Sequence, residues 1–295
     1  MEKLLVTDID GTITDQAYRL DSEVIDALVS LNRSGWDLFF LTGRYFSYAQ
    51  KLFQNFPVPY LLGCQNGASV WSSTSLSWIY SQNLSREVLA SLQEALGGFP
   101  VVMSIESGAQ HQDYCYRFSP TSESQCLHEL LDPIYFPTAQ ERTKLVHVKD
   151  LSTDYGFPSF AAAKIFGEEN VVRDIYKSLS RNQGLLALVN LVLIRWPFDP
   201  KYSIVFITEK HVSKGHTLDR VIERLYGGKK PFIMASGDDN NDTDLILRGD
   251  YRIVMNSAPQ ELHGIADFLA PPAEEKGILP AWEAGDHYFN AIAKV

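Results

Sequence analysis

The chain has 295 residues, of which 45% are apolar and 21% charged, and it carries a formal net charge of −10. This balance excludes a disordered chain, and the length suits two domains better than one core. The acidic excess argues against nucleic acid as a partner, because a phosphate backbone needs a basic face, and any phosphorylated ligand must be drawn by a local positive site.

The first apolar run, Leu4-Leu5-Val6, is too short for a signal peptide and leads straight into acidic residues. No apolar run reaches spanning length; Leu185 to Ile194 is broken by Asn190 and is strand-sized. The three cysteines, Cys64, Cys115 and Cys126, form no CxxC pair and read as free thiols in a reducing compartment. A cytoplasmic protein with no membrane partner is expected, monomeric by default.

The first eighty residues alternate strand and helix. Lys3–Thr7 reads as a short apolar strand ending in acid. Asp21 or Ser22 caps a helix with Val24, Ile25, Leu28 and Leu31 on one face. Trp36–Leu41 is a second strand, followed by Thr42-Gly43-Arg44 and a helix near 45–53, and Tyr60–Cys64 is a third. This order implies a parallel sheet with crossover helices, and continuous apolar runs suit strands covered on both faces.

The pattern changes after about Tyr80. A helix near 85–96 precedes strand-like runs at 101–105, 111–118, 145–148 and 160–166. A helix at 168–179 follows, and then strands at 186–195 and 202–207. Adjacent strands with few helices suggest a mostly antiparallel α+β domain. Alternation returns with a helix after Lys214, a strand at 232–235, a helix at 242–247 and a strand at 251–255. The expected fold is therefore α/β: a Rossmann-like three-layer core with a parallel sheet (1–82 and 208–295), interrupted by an inserted α+β domain (83–207).

Four short segments carry chemistry. Asp8-Ile9-Asp10-Gly11-Thr12 lies at the carboxyl end of the first strand, where open α/β sheets bind ligands. Two close carboxylates repel each other unless a cation sits between them. By itself a D-x-D is as often a solvated turn. Thr42-Gly43 offers a hydroxyl and backbone N–H groups to phosphate oxygens. Lys214 opens a helix, the end a cation should avoid, which suggests an anion nearby. The oxygen-rich run Gly237-Asp238-Asp239-Asn240-Asn241-Asp242 suits a hard cation. It fails as a calcium loop, because Thr243 stands where that loop needs Gly and Gly249 where it needs Glu.

Together and in this order the four segments resemble the motifs of the haloacid dehalogenase superfamily: D-x-D-G-T, S/T, K and G-D-x-x-N-D. Asn66-Gly67-Ala68 and Asn256-Ser257-Ala258 look like that family too. The insertion resembles a type IIB cap of the Cof-like and sucrose-phosphate-phosphatase-like branches, although no motif within it carries the likeness.

The resemblance implies a phosphatase acting on a small phosphorylated metabolite, with Asp8 as nucleophile and Asp10 as general acid/base. It implies Mg²⁺ held by the Asp8 carboxylate, the Asp10 backbone carbonyl and Asp238, with Asp242 and Asn241 supporting the metal or phosphate side. It assigns Thr42, Gly43 and Lys214 to the phosphoryl oxygens. The cap should close over the site and read the leaving group. Arg44, Asn66, Lys164 and Asn190 are candidate substrate contacts, and Arg195-Trp196-Pro197-Phe198 offers rings to a sugar. For each, a structural role is the competing reading: a salt bridge for Arg44, a snorkelling surface residue for Lys164, a partner for backbone in the case of Asn190, a packed turn for Trp196. A sugar phosphate is the expected substrate class, because a covered site disfavours phosphoproteins. A phosphomutase on the same fold and a non-catalytic phosphometabolite-binding protein are the alternatives.

Overall fold

The computed structural model describes residues 1–293, which form two compact units. One comprises Met1–Gly43, Ala49–Tyr80 and the chain from Ser213 on; the other comprises Arg44–Tyr48 and Ser81–Val212. The second unit also takes in Arg44–Tyr48. Two hydrogen bonds account for that: the Tyr45 hydroxyl donates to the Tyr135 carbonyl (2.5 Å), and the Ser47 N–H donates to the Asp113 carboxylate (2.8 Å).

In chain order, the first unit opens with β1 (Lys3–Thr7), β2 (Trp36–Leu41), β3 (Leu61–Cys64), β4 (Ser69–Ser72) and β5 (Ser77–Ser81). The inserted unit contributes β6 (Leu84–Ser85), β7 (Val102–Glu106), β8 (Cys115–Phe118), β9 (Leu145–Val148), β10 (Ser159–Phe160), β11 (Ala162–Glu168), β12 (Val189–Arg195) and β13 (Tyr202–Glu209). The first unit then resumes with β14 (Phe232–Gly237), β15 (Tyr251–Met255) and β16 (Phe268–Ala270).

The first unit is an eight-stranded sheet in the order β16-β15-β14-β1-β2-β3-β4-β5. β16 through β3 pair in parallel, and β4 turns back antiparallel on β3. Leu4, Leu5 and Val6 of β1 are all fully buried, so both faces of the strand are covered, which is why it shows no polar alternation. Val24, Leu28 and Leu31 are the buried face of the helix Ser22–Arg33, and Asp21 caps it by accepting from the Glu23 N–H (2.9 Å). Leu218 and Val221 of the helix Lys214–Leu225 enter a core with Leu4, Phe39 and Ile233.

The inserted unit holds a six-stranded sheet, β12-β13-β11-β7-β8-β9, antiparallel except for the β8–β9 pair. One face presents Met103, Ile105, Ile165 and Val205, which share a core with Leu92 of the helix Leu89–Leu96 and Val172 and Ile175 of the helix Glu169–Leu179. On the other face, Val102, Phe166 and Ile204 pack with Leu127 and Leu131 of the helix Gln125–Tyr135. That helix was not read from the sequence.

Two expected strands are shorter than foreseen. Residues 112 and 113 have φ of +61° and +56°, so β8 begins only at Cys115, and Gln183–Leu186 is helical, so β12 begins at Val189. The helix expected at 45–53 is a single turn at Phe46–Ala49 followed by a 3₁₀ turn. Among the described residues, Cys64, Cys115 and Cys126 form no disulfide. Among the described residues no helix is long and apolar enough to cross a membrane.

Candidate active site

The register of the central strands brings the chemical segments together. Thr7, at the end of β1, stands opposite Ser236 of β14 and Phe40 of β2. The residues that follow each strand therefore leave the sheet along one edge.

The first loop is wound tightly. The Asp8 N–H donates to the Ser236 carbonyl (3.0 Å), and the N–H groups of Thr12, Ile13 and Thr14 converge on the Ile9 carbonyl (3.3, 3.0 and 3.2 Å). Gly11 has φ +77°, and a Cβ placed on it would stand 2.5 Å from Asp238 Oδ2. Glycine thus serves twice: it allows the turn, and it lets the first and fourth acidic loops approach. The Thr12 hydroxyl locks that approach by donating to Asp238 Oδ1 (3.1 Å). Thr12 was not singled out in the sequence, though it completes the D-x-D-G-T segment.

The fourth loop is organised by Asp242, which is fully buried. Its Oδ2 accepts from the N–H groups of Asp238 (3.1 Å) and Asp239 (3.2 Å), and its Oδ1 accepts from Lys214 Nζ (2.6 Å). Asp239 caps the same turn by accepting from the Asn240 N–H (2.7 Å).

Lys214 explains its place at a helix start. Ser213 caps that helix by accepting from the His216 N–H (3.2 Å), while Lys214, fully buried, donates to Asp8 Oδ1 (2.5 Å) as well as to Asp242. Burial alone would depress the Lys214 ammonium, but the Asp242 and Asp8 carboxylates more than offset it and hold its pKa above the usual lysine range. Asp8 is pushed up to about 7, first by burial. Lys214 pulls against that rise, and the Asp242 and Asp10 carboxylates add to it.

Thr42 and Asn66 connect to the same network. The Thr42 N–H donates to the Gly63 carbonyl, and its own carbonyl accepts from the Asn66 N–H, both at 2.9 Å. Asn66 Oδ1 accepts from Asn241 Nδ2 (3.0 Å). Backbone and side-chain bonds thus link the Thr42-Gly43 turn, the turn after β3 and the fourth loop.

This donor set fits a hard divalent cation. Asp8, Asp238 and Asp242 each present an oxygen, and the three atoms lie within 4.8 Å of one another. Asp8, Asp10 and Asp242 act on one another electrostatically, and Lys214 pairs with Asp8 and Asp242.

The remaining candidates lie in the inserted unit and have structural occupations. Arg44 is buried with its guanidinium 4.3 Å from the centre of the Tyr48 ring. Lys164 does not snorkel; its Nζ pairs with Glu106 Oε1 (2.5 Å) and lies over the Phe206 ring (4.8 Å). Asn190 Nδ2 donates to the Val212 carbonyl (2.9 Å), which the Thr208 hydroxyl also reaches (2.8 Å). Trp196 is buried against Phe166, Phe198 and Tyr202, so it packs a core and presents no open ring.

Comparison with known proteins fits this fold and edge. The model of the haloacid dehalogenase-like hydrolases matches residues 5–281, and the chain belongs to that family. A phosphoglycolate phosphatase of Methanothermobacter thermautotrophicus is 21% identical over 280 residues, 95% of this chain and 96% of the relative. Among solved structures, a Streptococcus mutans protein superposes with a TM-score of 0.77 at 20% identity, covering 98% of this chain and all of its own. A subclass IIB sugar phosphatase of the same superfamily superposes with a TM-score of 0.71 at 20% identity, covering 96% of this chain and 99% of its own.

Proposed function

We propose that this hydrolase is a Mg²⁺-dependent phosphatase that acts on a small phosphorylated metabolite, preferentially a sugar phosphate, through an aspartyl-phosphate on Asp8. The observation that carries the reading is the setting of Asp8: a buried carboxylate at the strand edge, one oxygen held by Lys214, with Asp238 and Asp242 close enough to share a cation.

The chemistry runs in two displacements. With Oδ1 fixed by Lys214, Asp8 attacks phosphorus through Oδ2, and the bond from phosphorus to the ester oxygen breaks. Asp10 gives its proton to the departing oxygen. Asp10 then takes a proton from water, which attacks the same phosphorus, releases inorganic phosphate and restores Asp8. Splitting the reaction matters because unaided phosphate-monoester hydrolysis is slow enough to need up to ~10²¹-fold acceleration. Thr42, the Gly43 N–H and Lys214 hold the phosphoryl oxygens. Asp8, the Asp10 carbonyl, Asp238 and Asp242 would hold Mg²⁺, which supplies positive charge against the repulsion between carboxylate and phosphate. Burial favours the protonated, non-nucleophilic form of Asp8, so cationic neighbours are needed to keep it ionised. Asn241 stands behind this array, fixed on Asn66.

The test is phosphate release from a panel of sugar phosphates and an aryl phosphate, with Mg²⁺ or with chelator, for the native protein and Asp8→Asn. Release that requires Mg²⁺ and Asp8 supports the reading. No release from any substrate by the folded, Mg²⁺-loaded protein would overturn it.

A further inference from the structure

Lys214 stands in the first turn of its helix, where the backbone dipole disfavours a cation, so its place has to be imposed by side chains. The Asp8 and Asp242 carboxylates hold its ammonium. One residue earlier, the Ser213 hydroxyl bonds to the half-buried Asp244 carboxylate. Residues 213 and 214 therefore meet residues 244 and 242 through two neighbouring side-chain bonds, Ser213 with Asp244 and Lys214 with Asp242. The second of these grips the end of the lysine side chain, and the first grips the backbone from which it starts.

The Ser213 hydroxyl is fully committed. Its oxygen accepts from the His216 N–H (3.2 Å) and lies 2.9 Å from His216 Nδ1. A hydroxyl has one proton and a carboxylate only accepts, so that proton goes to Asp244 and His216 Nδ1 donates. Three bonds leave the capping side chain no free rotation. Asp244 is fixed in turn. Arg248 Nη1 donates to the Asp244 carbonyl (2.6 Å) and lies 3.9 Å from Asp244 Oδ2. Its Nε and Nη2 pair with Asp219 (2.9, 2.9 and 2.7 Å), which belongs to the helix Lys214–Leu225. Gly215 lets these parts close up: a Cβ there would stand 2.6 Å from the Asp244 carbonyl oxygen and 2.7 Å from Asp244 Oδ2. The first turn of that helix is thus pressed on the helix Thr243–Ile246.

We propose that Asp244 is a positioning residue for phosphoryl transfer: through Ser213 it fixes the backbone from which Lys214 reaches the phosphoryl oxygens. This role rests on the phosphatase reading above. An ammonium held only by its two carboxylates follows the charge on them. When Asp8 forms its bond to phosphorus it gives up charge, and a lysine with a loose backbone would withdraw toward Asp242, which takes no part in the new bond. With residue 213 tied to Asp244, the ammonium stays where charge develops on the phosphoryl oxygens. Loss of the tie should therefore slow the transfer step more than it weakens substrate binding.

The test measures kcat and KM on a hydrolysed sugar phosphate for native protein, Asp244→Ala, Asp244→Asn, Ser213→Ala and the Ser213→Ala/Asp244→Ala pair, well below the Tm of each. Asp244→Ala should lower kcat by about tenfold or more, with KM changed by less than about threefold. Asp244→Asn keeps an acceptor for the Ser213 hydroxyl and should return kcat to within about threefold of native. The pair should lose no more than Asp244→Ala alone, because the two side chains act as one unit. A second readout needs no substrate. The NMR signal of the Lys214 ammonium, identified by its loss in Lys214→Arg, should broaden in Asp244→Ala and persist in Asp244→Asn. An unchanged kcat or an unchanged ammonium signal in Asp244→Ala would overturn the proposal, as would Asp244→Asn as slow as Asp244→Ala, or losses that add in the pair. If the native protein hydrolyses nothing, the phosphatase reading falls, and the ammonium signal still decides Asp244: the same signal in native protein and Asp244→Ala removes its hold on Lys214.

Discussion

Lys214 and Gly11 do the most with the least. Lys214 is the bond between Asp8 and Asp242, and without it two buried carboxylates face each other unpaired. Lys214→Met should therefore lower stability by about 3–5 kcal/mol and abolish turnover. Chemical denaturation measures the first effect, and an unchanged midpoint would mean the carboxylates are relieved in another way. Gly11→Ala is a subtler break. The added methyl collides with the Asp238 carboxylate at a site where φ is positive, so the first and fourth loops must part. Mg²⁺-dependent activity should fall by about 10² or more, as when a reacting geometry is displaced by about 1 Å, while circular dichroism stays native. Lys214 stood out in the sequence as a cation at a helix start, and Gly11 as the residue that permits a sharp exit after the paired acids. Thr12 breaks no local rule. Its meaning lies in a partner far along the chain, Asp238.

Among the elements, the strands that run straight through the core were legible and those shaped by neighbours were not. β1, β2 and β3 announce themselves as short apolar runs, since burial on both faces leaves no room for polar alternation. The helix Gln125–Tyr135 escaped notice; it contains Pro133, and Asp132-Pro133 reads as a stop although the helix runs on to Tyr135. What holds it is tertiary. Arg117 of β8 pairs with Asp132, and His128 lies between Arg117 and Ser119. A guanidinium only donates, so His128 Nδ1 must accept (3.4 Å) and the proton must sit on Nε2, donated to the Ser119 hydroxyl (2.8 Å). Burial, together with the Arg117 and His147 charges, depresses His128 from 6.5 to about 4. The unfolded chain therefore binds the proton first, and the stability this histidine contributes is present above about pH 6.5 and lost as pH falls toward 4. Native Tm should drop more steeply across that window than Tm of His128→Gln; parallel slopes would remove His128 from the acid response.

At the scale of the molecule, one unit carries the acidic edge, and a second, built on a different sheet, is inserted between β5 and β14. The division read from the sequence rested on the change from alternating elements to runs of strands. The short segment Arg44–Tyr48 could not be assigned that way, since contacts far along the chain, such as those of Tyr45 with Tyr135 and Phe136 and of Ser47 with Asp113, tie it to the second unit. A cation at the cluster of Asp8, Asp238 and Asp242 should stabilise the folded chain as a whole. Mg²⁺ at about 100 times its Kd should add about 2.7 kcal/mol, and Asp238→Asn should remove most of that gain. A Tm shift of equal size in the variant would place the ion elsewhere.

The covalent step is the sharpest point of the reading. Mixing native protein, Mg²⁺ and a hydrolysed sugar phosphate, quenching with acid on the millisecond scale and sequencing peptides by mass should reveal a phosphoryl group on Asp8. The adduct should be absent from Asp8→Asn and from samples with chelator. Phosphate release that continues in Asp8→Asn, with no phosphorylated peptide at any quench time, would contradict an aspartyl-phosphate and place the attacking group on water or another side chain.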